Sequence, residues 1–192
     1  MTMRNASFLT ADQLAELKFA HLGKGVLIHE TCVLVGCEAM SIGDHARIDP
    51  FCIVSAREPM HIGRYVHIAG HCLLAGGNGI SVDDFSGISH GVRVLSASDD
   101  FVASGLIGPQ LPNDLRVVQS GRVFLEKHTC IGANGVVLPK SRVCEGSTVG
   151  ALSLVRGELA PWGVYAGVPA KRLRERDSEG VRRAEAELLR RG

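Results

Sequence analysis

Apolar residues recur along this chain with a period of six. It begins as Leu22, Ile28 and Leu34, recurs in groups of three that are each displaced by 20 residues, and then lapses. It resumes at Leu125 and runs in steps of six to Val155. A period of six fits neither the 3.6 of a helix nor the two-residue alternation of an ordinary strand. It predicts short strands joined by tight corners, three to a coil, stacked into a solenoid with three faces.

The breaks in the period predict how the chain is organised. We expect a single domain, because 192 residues can enclose one core of their own. The sequence "TADQLAELKF" begins with a capping-box pair, Thr10 and Gln13, and predicts a short helix. Within a domain of residues 1–192, the predicted segments are a helical cap over 10–20, coils over 22–160, an inserted loop over 96–122, and a C-terminal segment and helix over 161–192.

Charge and cysteine content exclude several classes of function. The 21 Lys and Arg residues nearly balance the 20 Asp and Glu residues, so we expect no nucleic-acid and no membrane-surface partner. The first residues, "MTMRNASFLTADQLAEL", contain no apolar run that would predict a signal peptide or a spanning helix, so a cytoplasmic location is expected. The 6 cysteines lack CxxC spacing and are expected to be reduced thiols.

The repeat, together with the closing sequence "VYAGVPAKRLRER", resembles the hexapeptide-repeat acyltransferases. Within that family the stretches "HIGRYVHIAG", "DFSGIS" and "SASDDF" look most like the enzymes that acetylate nucleotide-linked 4-amino-4,6-dideoxyhexoses. The resemblance implies an all-β, left-handed parallel β-helix and a homotrimer. It also implies transfer of an acetyl group from acetyl-CoA, without a metal, to a nucleotide-linked amino sugar such as dTDP-4-amino-4,6-dideoxyglucose, for surface polysaccharide synthesis.

The same resemblance assigns cofactor-binding residues. Matching positions in the family contact coenzyme A along its pantetheine arm or at its phosphate and adenosine end. In this chain those positions are Ala133, Ala151, Arg156, Gly157, Lys171 and Arg174. Single alanines are also common packing residues, so the basic pair beside the Gly-x-Pro sequence is the stronger indication.

Asp99 and Asp100 stand where the period breaks off. In the sugar O-acetyltransferases of the family, a histidine five residues past the corresponding apolar anchor is the general base, and here that position holds Asp99. A hydroxyl needs a base to take its proton, whereas a sugar amine is partly unprotonated and needs an anionic oxygen to hold it. We therefore predict N-acetylation, with Asp99 catalytic and Asp100 binding substrate. The alternative is that "SDD" only caps a turn.

Histidines keep other functions open. His90 is a candidate base near the site, His71 is a candidate substrate-binding residue, and a sugar O-acetyltransferase of the galactoside or maltose type is the second interpretation. His67, His71 and His90 fall on consecutive coils, as zinc ligands do in gamma-class carbonic anhydrases, although the spacing "HIAGH" does not match that class. A zinc enzyme is thus the weaker alternative, and we predict no metal site.

Overall fold

Short parallel strands stack into a left-handed β-helix with three faces, which confirms the fold class expected from the repeat. The computed structural model describes residues 7–102 and 105–191. Residues 1–6, 103–104 and 192, which belong to the predicted domain and its insertion, lie outside the described residues.

The elements are numbered in chain order. The helices are α1 Ala11–Glu16 and α2 Ser178–Arg191, with short 3-10 helices at Cys37–Ala39 and Asn113–Leu115. The strands are β1 His21–Leu22, β2 Leu27–Ile28, β3 Val33–Val35, β4 Met40–Ile42, β5 Arg47–Ile48, β6 Ile53–Ala56, β7 Met60–Ile62, β8 His67–Ile68, β9 Leu73–Gly76, β10 Ile80–Val82, β11 Gly87–Ile88, β12 Arg93–Leu95, β13 Ala97–Asp99, β14 Val118–Ser120, β15 Val123–Leu125, β16 Cys130–Ile131, β17 Val136–Val137, β18 Arg142–Val143, β19 Thr148–Val149, β20 Leu154–Val155, β21 Glu158–Leu159, β22 Gly163–Ala166 and β23 Lys171–Glu175.

Successive strands pass to successive faces, so that each face is a ladder of strands from different coils. Face 1 has the order β1-β4-β7-β10-β15-β18-β21. Face 2 has the order β2-β5-β8-β11-β16-β19-β22-β23, and face 3 has the order β20-β17-β12-β9-β6-β3. We name the edges between them corner 1–2, corner 2–3 and corner 3–1. The insertion leaves from corner 3–1, because it follows β12 on face 3 and precedes β15 on face 1.

The core consists of the residues that the period singles out. The apolar anchors are buried except for Leu22 and Leu34 in the first coil, which are partly exposed. Most of the small residues four positions after the anchors are also buried, and several of their hydroxyls and thiols donate hydrogen bonds to carbonyls of the next coil. Ser147 Oγ, for example, donates to Ala160 O at 2.7 Å and Cys52 Sγ to Ala69 O at 3.1 Å. The hydroxyls and thiols of the core therefore carry hydrogen bonds that follow the coil stacking.

Corner 1–2 carries a column of rings, which we call the ring ladder: His45, Tyr65, Phe85 and His128, which are stacked, and Trp162, which is tilted by 41° to His128. Each of these residues has a left-handed backbone, with φ between 54° and 62°, at the same place in its coil. Adjacent ring centroids are 5.0, 5.3, 5.4 and 6.2 Å apart from the first pair to the last. Such spacing favours offset stacking, which offsets the cost of the left-handed backbone at this corner.

Helix α1 packs on the first coil of the β-helix, whereas α2 packs along its side at corner 1–2. Thr10 and Gln13 form the capping box of α1, as the sequence predicts, and Leu14 of this helix packs on the first coil. The C-terminal helix α2 is present as predicted, but it is not solvated on all sides. Its Glu185 accepts hydrogen bonds from Lys127 and His128 at 2.5 and 2.9 Å, which docks the helix on the ring ladder.

The parallel ladder extends past residue 160, where the period predicts the last coil to end. Strand β22 pairs with β19 in parallel, so face 2 continues to Ala166 although the six-residue spacing has been lost. The chain then turns through residues 167–170, and β23 runs back antiparallel to β22.

None of the helices within the described residues is long and apolar enough to cross a membrane.

Candidate active site

The acidic pair lies at the base of the insertion. Strands β13 and β14 form an antiparallel ribbon, in which Asp99 pairs with Val118. The Arg116 Nη2 atom donates to Asp99 Oδ1 at 2.8 Å, and the two side chains are only 14% and 19% exposed. The ribbon and the ion pair thus fix an aspartate carboxylate where the regular coil ends. No protein donor to Asp99 Oδ2 is found within residues 7–102 and 105–191.

Asp100 is engaged within the loop itself. Its Oδ1 accepts from the Val102 backbone N–H at 2.9 Å, and its Oδ2 accepts from Gln119 Nε2 at 3.1 Å. This is the turn-capping chemistry that the sequence leaves open for the pair. Of the two neighbouring acids, Asp99 is therefore better placed to receive a substrate amine, and the substrate-binding role of Asp100 stays a prediction.

A cavity of about 160 Å³ adjoins the acids at corner 3–1. Its lining includes the loop residues Phe101 and Val102, the coil residues Leu138 and Pro139, and the predicted cofactor residue Arg156. The structure thus brings Arg156 to the same cavity as Asp99. Gly157 follows it with a left-handed φ of 79°, and the space where a Cβ would stand is open.

The two candidate histidines lie together at corner 2–3, in a different cavity of about 280 Å³. His71 stacks on Phe51 with a centroid distance of 5.0 Å. His90 is exposed beside them, and Gly70 completes the wall between the two imidazoles. Arg93 Nη1 bonds the carbonyl oxygens of His71 and Gly91 at 2.8 and 2.7 Å, which fixes the backbone of this corner.

Asp49 forms the charged wall of the histidine cavity. Its burial by itself would raise the pKa of the carboxyl, but hydrogen bonds from His67 and Arg47 outweigh this effect and hold the pKa below its usual range. The His67 Nε2 to Asp49 Oδ2 distance is 2.8 Å, so the His67 imidazole is hydrogen-bonded to this carboxylate.

Among the residues that the structure describes, no group of three or more His, Cys, Asp or Glu side chains is arranged to hold a metal ion.

The predicted cofactor residues do not form one cluster within a single chain. Ala133 and Ala151 lie at corner 2–3, where the backbone passes from face 2 to face 3. Arg156 and Gly157 lie at corner 3–1. Lys171 and Arg174 lie on the exposed strand β23. The two histidines lie at corner 2–3 and the two aspartates at corner 3–1, so these residues and four of the six predicted cofactor residues flank face 3 from opposite sides.

Arg116 is the site residue that sequence reasoning misses. It stands 17 residues from Asp99, inside the insertion and outside the repeat, so neither spacing nor motif marks it. The insertion's ribbon brings the two together by pairing Asp99 with Val118. A hairpin prediction for residues 97–120 would have been the one available signal.

Comparisons with known proteins agree with this architecture. No protein-family model matches the chain. It is 34% identical over 174 residues to the dTDP-4-amino-4,6-dideoxy-D-glucose acyltransferase of Escherichia coli, which covers 90% of this chain and 91% of that protein. The chain belongs to the hexapeptide-repeat acyltransferase family. The expected resemblance and the acyltransferase activity are thereby confirmed.

Solved structures within this family match over nearly the whole chain. One is a serine-to-cysteine variant of the N-acyltransferase AntD from Bacillus cereus, in complex with dTDP-4-amino-4,6-dideoxyglucose and coenzyme A. It is 37% identical, with a TM-score of 0.94, and the match covers 98% of this chain and 100% of that one. A shorter match, 38% identical over 71 residues, is to the putative lipopolysaccharide biosynthesis O-acetyl transferase WbbJ of Escherichia coli strain K12, and it covers 37% of this chain and 36% of that protein.

Proposed function

We propose that this enzyme transfers the acetyl group of acetyl-CoA to the 4-amino group of dTDP-4-amino-4,6-dideoxyglucose or a closely similar nucleotide-linked amino sugar. The observation that carries the proposal is the fixed, partly buried carboxylate of Asp99 at the position where hydroxyl-acetylating relatives have a histidine. The relatives that match over most of the chain act on or bind an amino sugar of this kind. A cytoplasmic location, and the absence of nucleic-acid and membrane partners, remain expectations from the sequence.

In the proposed reaction, the amine lone pair attacks the thioester carbonyl carbon, and the carbon–sulfur bond breaks as coenzyme A leaves as a thiolate. The nitrogen gives up one proton, and the thiolate takes up one to become the free thiol. Asp99 holds the ammonium form through a charge-assisted hydrogen bond and accepts one proton from it before attack, which frees the lone pair, and this proton then passes to solvent. The proton that the nitrogen gives up as the amide forms is the one that the thiolate takes up. A carboxylate suits this step, because an amine needs binding and orientation rather than a strong base.

The bound coenzyme would lie along small and basic residues. Ala133 and Ala151 leave room at corner 2–3 for a narrow pantetheine arm, and Arg156 supplies a cation beside the acid cavity. Lys171 and Arg174 are exposed, with no carboxylate partner found for either within the described part of the chain, and are available to phosphates. These residue types fit coenzyme A, which needs an apolar slot and cations for its phosphates.

We propose further that the enzyme is a homotrimer with its sites between subunits. The outer surface of face 3 is apolar and open, with Val33, Val35 and Ile53 between 45% and 54% exposed. A cyclic assembly contacts each neighbour through two different patches. Covering face 3 in this way joins corner 2–3 of one subunit to corner 3–1 of the next, and so unites the divided histidine, aspartate and cofactor residues in one cleft.

The proposal is tested by a turnover screen with the purified enzyme. Acetyl-CoA is offered with dTDP-linked 4-amino and 3-amino sugars, their hydroxyl counterparts and simple glycosides, and release of the thiol is followed. We expect the 4-amino sugar nucleotide to be acetylated with the highest kcat/KM, and mass spectrometry to show the product as an amide. Turnover of hydroxyl acceptors with none of amines would refute N-acetylation.

A second candidate is O-acetylation of a sugar hydroxyl. It is favoured by the partial match to an O-acetyl transferase and by the exposed imidazole of His90, which lies in its own cavity with His71. Under this reading His90 is the essential base and Asp99 is dispensable. The same acceptor screen, repeated with Asp99→Asn and His90→Gln, separates the two reactions.

A further inference from the structure

The ion pair between Arg116 and Asp99 is unusual for a surface insertion. Arg116 is held through its backbone, because its N–H bonds Asn113 O at 3.3 Å and it forms a bridge with Leu106. Its guanidinium reaches Asp99 Oδ1 with both side chains mostly removed from solvent. The pair therefore has a defined geometry, unlike two mobile charges at a surface.

The Arg116 guanidinium also carries an unsatisfied donor. Within residues 7–102 and 105–191, its Nε is the one side-chain nitrogen or oxygen found buried without a hydrogen-bond partner. A buried donor without an acceptor costs about 1–3 kcal/mol. A partly buried ion pair recovers little net stability after desolvation. Stability of the loop is thus a poor explanation for an arginine at this position.

We propose that Arg116 is a positioning residue for catalysis, an inference that rests on the proposed function. Its Nη2 fixes one oxygen of Asp99, which leaves Oδ2 to hold the ammonium of the amino sugar. Nε lies on the same edge of the guanidinium as Nη2, and it donates to an oxygen that arrives with the bound substrate.

This role differs from that of a structural clasp in what the residue is coupled to. A clasp would hold the insertion together, so its loss would lower stability and impair every ligand of the cleft. A positioning residue acts through Asp99, so its loss should impair the acceptor's reaction and leave acetyl-CoA binding intact. Removing Arg116 should then have little further effect once the Asp99 carboxylate is gone.

The experiment compares Arg116→Gln, Arg116→Lys, Asp99→Asn and the double variant Asp99→Asn/Arg116→Gln. The matched controls are Arg122→Gln and Arg122→Lys, because Arg122 closes the same insertion and its guanidinium lies over the Phe124 ring, 5.6 Å from the centroid, away from the acids. Each variant is assayed with the acceptor that the wild-type enzyme turns over fastest, with KM for acetyl-CoA and thermal unfolding measured in parallel. Failure of wild-type amine acetylation then refutes the proposed function by itself, while the variants still test Arg116.

We expect Arg116→Gln to lower kcat/KM for the acceptor by about 10- to 10²-fold, the scale of a misplaced catalytic group. KM for acetyl-CoA and the melting temperature should stay near wild type. Arg116→Lys should have a kcat/KM between those of Arg116→Gln and the wild type, because lysine keeps the positive charge but lacks the paired N–H donors of the guanidinium. The double variant should be no worse than Asp99→Asn alone.

Two results would overturn the inference. One is equal behaviour of the Arg116 and Arg122 variants. The other is a double variant whose loss is the product of the two single losses, since the residues would then act independently. If Arg116→Gln does not fold, the Arg116→Lys and Arg122→Lys pair decides on the same criteria.

Discussion

Corner 1–2 and corner 3–1 of the same β-helix are built in opposite ways. At corner 1–2 the rings of His45, Tyr65, Phe85 and His128 stack one on the next, Trp162 lies tilted beside His128, and α2 packs along the column. At corner 3–1 the turn is enlarged differently from coil to coil and ends in an insertion whose Phe101 and Val102 are 81% and 94% exposed. The repeated corner is determined by many equivalent contacts, whereas the irregular corner depends on single ones such as Arg116 with Asp99.

Stability therefore comes mainly from the repeated corner, and the irregular corner leaves side chains available for chemistry. A ladder of equivalent contacts loses only a share of its stacking when one ring is replaced. The insertion has few buried apolar contacts, which is typical of segments that bind ligands. We therefore expect substitutions at corner 1–2 to change stability and substitutions at corner 3–1 to change catalysis.

The largest effect is expected at the acid. Asp99→Asn keeps the size of the side chain and removes its charge, so kcat/KM for the amino-sugar acceptor should fall by about 10²-fold or more. The free energy of unfolding should change little. Asp114→Asn, in the 3-10 helix of the same insertion, is the matched control and should behave as wild type. Normal activity of Asp99→Asn combined with an inactive His90→Gln would assign catalysis to corner 2–3 instead.

The second effect is expected at Gly146, which lies against Trp162 of the ring ladder. A Cβ there would lie 2.4 Å from the ring of Trp162, and the backbone φ is 72°. Gly146→Ala should therefore lower the free energy of unfolding by about 2 kcal/mol, through the left-handed backbone and the displaced ring together. Denaturant titration measures this loss, and activity below the transition should remain.

Gly157→Ala isolates the backbone contribution to that loss. Gly157 has a similar φ of 79°, but a new Cβ would have open space around it. Its loss of stability should be about 1 kcal/mol. Equal losses for the two variants would mean that ring packing at corner 1–2 adds nothing.

The contrast also decides what the sequence can predict. The coils can be predicted from the sequence because an apolar anchor recurs every six residues within them. Each anchor from Ile42 onward is buried, as this repeat predicts. The rings at His45, Tyr65 and Phe85 also follow the 20-residue displacement, so the ladder was detectable. The insertion then shifts the next ring to His128, which breaks the 20-residue spacing, so a fixed period does not predict this member of the ladder.

The candidate site was only partly predictable. Asp99 could be singled out, because its position is counted from the last anchor before the break. Arg116 could not, because it is positioned by an antiparallel ribbon that no repeat encodes. The division of site residues between two corners was hidden as well, since the six-residue period does not show which turns share an edge of face 3. The domain limits and the roles of individual site residues stay predictions.

A third, smaller effect is expected at two predicted coenzyme residues of strand β23, Lys171 and Arg174, which lie outside both corners. Lys171→Ala and Arg174→Ala should each raise KM for acetyl-CoA about fivefold, the equivalent of about 1 kcal/mol for an exposed charge contact. Their kcat should stay near wild type, because the phosphates are remote from the reacting carbon. Arg172→Ala is the control, since Arg172 is paired with Glu175 at 2.7 Å. A fall in kcat with unchanged KM would contradict the assignment.

The smallest effect is expected where α2 meets the ring ladder. Burial would raise the pKa of Glu185, but hydrogen bonds from Lys127 and His128 outweigh burial and hold that pKa below its usual range. Because the pKa is lower in the folded state, the carboxylate stabilises the fold fully above its unfolded pKa of about 4.3. That contribution is lost as the pH falls through the lowered folded value.

Glu185→Gln should therefore cost about 1 kcal/mol in the free energy of unfolding at pH 7. The difference from wild type should shrink towards zero as the pH is lowered below about 4, since the wild-type carboxylate is then protonated too. The matched control is Glu187→Gln, because Glu187 pairs only with Arg190 and Arg191 of its own helix among the described residues. A pH-independent difference at Glu185 would mean that α2 is docked by shape rather than by this charge. Corner 1–2 would then be stabilised by ring stacking alone, and its stability would not depend on pH.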